Sequence, residues 1–236
     1  MSDAQRIVQS EVAALHADLN RLLLFARDLN NCAGVDYWIV QVPVGILHEV
    51  WRVQAEVAPA VRAASIPTLA WLCRNALELD VWAKYISISM PNAKRFHQDA
   101  YVDSLEVYKL FDRVLRNLDV QWHSVIETMA APLLPELERV LVRDKVDLSV
   151  EQLRGMKHLN VAQVAGEVGH GEVFALWNPV LSKLVHASAY NVLVAGKSMD
   201  GLGSFIVREL IWELRSAVTA VNVYLRANGL PQYGSL

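Results

Sequence analysis

Apolar residues recur three and four apart along nearly the whole chain, and that spacing limits the fold more than any other feature. Between Glu11 and Asp28 they fall at Val12, Leu15, Leu19, Leu22, Leu23 and Phe25, and Asn30-Asn31-Cys32-Ala33-Gly34 ends the pattern. This is one face of an amphipathic helix with a Gly/Asn stop. Pro43 to Val57 reads as a second helix opened by proline, and Ser65-Ile66-Pro67 begins a third that holds to Met90-Pro91. Asn92 to Leu118 sets Phe96, Tyr101, Leu105, Tyr108, Phe111 and Leu115 at helical spacing among charges, as a half-exposed helix does. Trp122 to Val142, broken around Pro132 and Pro135, then Ser149 to His158, Asn160 to Val168, Glu172 to Tyr190 and Ser204 to Ala227 complete the set. Asn191 to Gly203 reads as a loop. No segment alternates apolar and polar residues for long enough to require a strand. The expectation is one all-α domain over residues 1–236, a bundle of seven to nine helices, with any internal boundary near Asp144 to Ser149.

Composition narrows the function classes. In 236 residues, 53% hydrophobic content and a mean hydropathy of +0.22 allow a large core and leave apolar surface for another subunit, so a homo-oligomer is expected. The net charge of −3, from 22 basic and 25 acidic residues spread along the chain, offers no basic stripe for nucleic acid. Cys32 and Cys73 are too few for a disulfide framework and lack metal-ligand spacing. The polar start Met1-Ser2-Asp3-Ala4-Gln5-Arg6 is unlike a signal peptide, and Asp36, Gln41, Pro43, Gly45 and His48 interrupt the most apolar window. A cytoplasmic protein with no membrane span is the expectation. Glycine-rich phosphate loops are absent from the sequence, so no nucleotide cofactor is indicated.

Two polar constellations stand out against the apolar background. Asn178, Ser182, His186 and Tyr190 are four residues apart each time and share one stripe of a helix. On the third helix, Arg74 and Glu78 share a face flanked by Trp71, Leu77, Val81 and Tyr85, whereas Asp80 and Lys84 fall on another side as an ordinary solvated pair. A charge pair framed by apolar residues needs either an internal network or a ligand to explain it. Imidazole moves protons near neutral pH, and Ser182 one turn earlier is placed to hold the His186 ring. The candidate catalytic set is therefore Arg74, Glu78, Ser182 and His186. Arg74 would bind an anionic group, Glu78 would orient it, and His186 would transfer a proton. The rival reading makes the same four residues a buried network in a non-enzymatic interaction or scaffold protein.

Other patterns carry less. Glu167-Val168-Gly169-His170 has Glu-x-x-His spacing, but a di-iron bundle needs two such copies and two more glutamates, so no metal is expected. Asn160 to Gly169 imitates a helix-turn-helix, with Ala165 and Gly169 where the turn wants them. The helix that follows, Glu172 to Leu184, has one lysine, no arginine and Pro179, which is poor equipment for reading DNA.

Arg74-Asn75-Ala76-Leu77-Glu78-Leu79 with Trp82 and Tyr85, and Leu181-Ser182-Lys183-Leu184-Val185-His186-Ala187-Ser188, resemble the two signature stretches of a bacterial family known only as domain of unknown function 5677. Met156-Lys157-His158-Leu159 and Val164 to Gly169 fit the same pattern, and the likeness covers about residues 40–225. It implies an all-helical fold and, by analogy with helical domains of defence and toxin systems that cut RNA, phosphodiester or nucleotide chemistry. Those nucleases carry an arginine separated from the histidine by four to six residues. Here Pro179, Val180 and Leu181 stand before His186, leaving only Arg74, on another helix, to supply the cation.

Overall fold

The computed structural model describes residues 3–32, 36–117, 124, 127–128, 131–186 and 200–234. Among them are nine helices and no strand. The helices are α1 (Asp3–Asn30), α2 (Tyr37–Arg62), α3 (Ile66–Ile88), α4 (Met90–Asn117), α5 (Leu133–Arg143), α6 (Val150–Gly155), α7 (Val161–Glu167), α8 (Gly171–Val185) and α9 (Asp200–Ala227). The chain divides into two compact units, residues 1–93 with 160–236, and residues 94–159. Among the described residues, no helix is long and apolar enough to cross a membrane.

In the first unit α3 is the central element. It packs against α2, α7, α8 and α9, while α1 lies on α2 and α9. Because neighbours cover so much of its circumference, Leu72, Cys73, Ala76, Leu77, Val81 and Ile86 are all buried although they do not form one narrow stripe. Helix α2 begins at Tyr37, a turn and a half before Pro43. A proline inside a helix cannot donate to the carbonyl four residues back, here that of Ile39. The buried Tyr224 hydroxyl on α9 donates to the Ile39 carbonyl instead, at 3.0 Å. The vacancy in α2 is thus filled from across the core. Tyr233, beyond α9, folds back onto α1: its hydroxyl donates to Asp18 Oδ2 at 2.5 Å, and its backbone pairs with the Asn222 amide.

The α7–α8 connection sets the position of the site described below. Asn160 caps α7 by accepting from the backbone N–H groups of Ala162 and Gln163. Gly169 then adopts φ +73, the left-handed conformation that glycine tolerates, and His170 becomes the N-cap residue of α8. A Cβ on Gly171 would lie 3.2 Å from Gly166 Cα, so the two helices approach closely here. Helix α8 ends at Val185, and His186 is extended with ψ 154. The ladder expected to run through Tyr190 therefore reaches only Val185 as helix, and Tyr190 lies outside the described residues. Residues 200–203, expected as loop, form the first turn of α9.

The second unit has its own core of Tyr101, Val102, Leu105, Leu137, Leu141 and Leu153. Ser149 and Gln152 form a reciprocal capping box at the start of α6. The segment after α6 is held to α4 through Asp99, whose Oδ1 accepts from Arg95 and from the Leu159 backbone N–H, both at 3.0 Å.

Candidate functional site

Asp80 and Lys84 are one turn apart on α3, so their side chains meet, with Lys84 Nζ 2.5 Å from Asp80 Oδ2. The sequence suggests a solvated pair, and burial overturns that: Asp80 is 0% exposed. Arg74 and Glu78, expected inside, pair at 3.2 Å with side chains 36% and 31% exposed. Both pairs have apolar neighbours in sequence. Which one is interior depends on where α8 and α9 lie against α3, and that is a matter of packing.

The second contributor is His170, aimed into the core by the Gly169 turn. Its Nδ1 lies 3.1 Å from Lys84 Nζ. An ammonium can only donate, so Nδ1 accepts and the ring proton is assigned to Nε2. Nε2 in turn is 3.3 Å from Glu213 Oε1 and 3.6 Å from Asp80 Oδ2. Glu213 comes from the middle of α9 and is 1% exposed. Neither approach is aligned as a hydrogen bond, and Asp80 Oδ1, His170 Nε2 and both Glu213 oxygens are buried without a partner. Burial pushes the Glu213 carboxyl up to about 7, with the nearby Asp80 adding to the rise and His170 opposing it. Three helices thus bring two carboxylates, an imidazole and an ammonium into one buried cluster. Such a set can share a proton or hold a cation. The groove lined by Leu134, Leu141, Val146 and Leu148 includes none of the four, and neither does the one lined by Leu15, Asp18, Arg21 and Arg215.

Of the four residues singled out from sequence, two stand on α3, one on α8 and one directly after α8. Arg74 and Glu78 face outward on α3 beside Trp71, whose ring carries the Arg52 guanidinium at 5.4 Å. Ser182 is half-buried on α8, and His186 is exposed immediately after that helix, its backbone N–H donating to the Ser182 carbonyl at 3.1 Å. Asn178, the first rung of the ladder, has a buried Oδ1 without a partner.

A second cluster lies in the other unit. His158 Nδ1 sits 3.0 Å from Asp99 Oδ2 and 3.2 Å from Asp103 Oδ1. Burial pushes the Asp103 carboxyl up, against the pull of His158. With Arg95 and the Leu159 N–H on Asp99 as well, this group reads as a latch holding the post-α6 segment.

Asp80, His170 and Glu213 were not among the candidate catalytic residues, although Asp80 stood out as half of a charge pair, His170 as the end of a Glu-x-x-His spacing, and Glu213 left a trace of its own. Glu213 stands in Leu210-Ile211-Trp212-Glu213-Leu214, seven residues after Ile206 and four before Ala217, on the stripe that faces the core. A carboxylate at such a position needs a partner. No family model matches the chain, and no curated protein and no solved structure matches it either.

Proposed function

We propose that the protein is a non-enzymatic helical interaction module that works as a homodimer, joined through the outer face of α9. The observation that carries this reading is Trp212, which stands 69% exposed in the middle of a long helix. Phe205, two turns earlier on the same stripe, is 57% exposed, and its ring meets Trp177 of α8 at 5.1 Å. Leu176 and Val180 extend the apolar surface along α8. Exposed aromatic residues grouped in this way are typical of interfaces.

Charge favours a second copy as the occupant. At about 100° per residue, Arg208 lies about 40° to one side of Trp212 and Glu209 about 60° to the other. A twofold axis parallel to α9 would set Arg208 of each copy beside Glu209 of the other, with the Trp212 rings at the centre. A face with both signs suits neither a phosphate backbone nor an acidic peptide. The buried Asp80–Lys84–His170–Glu213 cluster then belongs to the frame that holds α9 in place. We assign the protein to the cytoplasm, where its free thiols Cys32 and Cys73 persist.

Sedimentation of wild type and Trp212→Lys tests this. Wild type is expected to run as a dimer at micromolar concentration, and Trp212→Lys as a monomer with unchanged helical circular dichroism. The enzymatic alternative, with Arg74, Glu78, Ser182 and His186 acting on a phosphodiester, makes the opposite demand. A monomeric wild type that cleaves short single-stranded RNA, and loses that activity in His186→Gln, would replace the interaction reading.

A further inference from the structure

We infer that Asp80, His170 and Glu213 form a binding site for one divalent first-row cation, with zinc the best match, clamping α3, α8 and α9 together. Two carboxylates and an imidazole are a donor set suited to zinc, manganese or iron. Their candidate ligand atoms all lie within 4.8 Å of one another. Bonds of about 2.0–2.1 Å in a tetrahedral arrangement set neighbouring donors about 3.3–3.4 Å apart. From His170 Nε2, the 3.3 Å to Glu213 Oε1 falls at that separation and the 3.6 Å to Asp80 Oδ2 lies slightly beyond it, and neither makes a hydrogen bond.

The independent sign of a ligand is the set of unpartnered atoms. Asp80 Oδ1, His170 Nε2, Glu213 Oε1 and Glu213 Oε2 are all buried without a hydrogen-bond partner, and each of the three residues offers a ligand atom within 4.8 Å of the others. A cation there takes one donor from each of the three residues, and a water molecule completes the tetrahedron. The Asp99–Asp103–His158 cluster differs on this point. His158 is half exposed, and both Asp99 oxygens already have partners.

Lys84 is the internal competitor. Its ammonium balances one of the two carboxylates, whereas a divalent cation balances both. When the cation binds through Nε2, the ring proton moves to Nδ1, and Lys84 keeps only Asp80 Oδ2 or turns to solvent, which its side chain already reaches. The site does not depend on dimerisation, and its test does not read oligomeric state.

The experiment uses full-length protein stripped with a chelator and then titrated with zinc chloride against a chromophoric competitor, with metal content measured after gel filtration. One zinc per chain is expected, with a melting temperature that rises as zinc is added. Asp80→Asn and His170→Gln are each expected to weaken binding by about 100-fold or more. Because those residues are buried, Lys84→Met is the second variant: with the competing ammonium removed, it is expected to bind zinc at least as tightly as wild type. Cobalt in place of zinc should give the visible absorption of a tetrahedral site. The proposal is overturned if helical wild type and helical Lys84→Met both fail to retain zinc. It is equally overturned if His158→Gln abolishes binding, or if Asp80→Asn and His170→Gln bind like wild type.

Discussion

At the scale of single residues, the contrast between the two charge pairs of α3 is the sharpest test of the fold. Removing one partner of a buried pair leaves a charge without compensation, whereas a half-exposed pair is screened by water. Asp80→Ala is therefore expected to cost roughly 3 kcal/mol and Glu78→Ala under about 1, read from urea unfolding. Equal midpoints would mean that α3 presents a different face to α8 and α9. The thiols make a second residue-scale contrast. Burial holds the Cys73 thiol far above its ordinary pKa, and it has no exposed surface, while Cys32 is only partly covered. Native protein should give one thiol to a disulfide reagent quickly and the second only in denaturant.

Among the elements, α2 and the segment after α9 each depend on a tyrosine. If Tyr224 fills the hydrogen-bond vacancy made by Pro43, Tyr224→Phe should cost about 1–2 kcal/mol in wild type. In a Pro43→Ala background the helix regains its own N–H donor, and the same change should cost about half as much or less. Additive effects would show that the tyrosine serves some other purpose. Tyr233 contributes in another way, since burial and its bond to Asp18 raise its phenol to about 12. The folded state then holds that proton more tightly than the unfolded chain, whose tyrosines titrate near about 10. Stability should be indifferent to this group below about 10 and fall as pH rises from about 10 to about 12. Tyr233→Phe should flatten that part of the wild-type profile, and an unchanged slope would dissociate the tail from α1.

For the whole molecule, the proposed dimer through α9 would link folding to concentration. The unfolding midpoint of wild type should rise with protein concentration, because mass action favours the associated native state. Trp212→Lys should melt at one temperature across the same range. A wild type insensitive to concentration would leave Trp212 and Phe205 as ordinary exposed residues.

Helix number and placement were legible from local spacing alone, because a 3.6-residue repeat is written into each segment without reference to any other. Stop signals were legible too where glycine or asparagine ended a helix, as at Asn30. Where a helix ended without such a signal the boundary moved: α8 stops at Val185 and α2 starts at Tyr37, ahead of its proline. The inner and outer faces of α3 were beyond sequence reasoning, since a central helix is apolar on most sides and its two polar pairs look alike along the chain. The cluster of Asp80, Lys84, His170 and Glu213 joins residues from three distant segments. Periodicity set Asp80 and Lys84 on α3 and Glu213 on α9, but their meeting with His170, the N-cap residue of α8, rests on the left-handed turn at Gly169 and on the packing of α8 and α9 against α3. Local chemistry determines helices; only packing in three dimensions decides which charges share the interior.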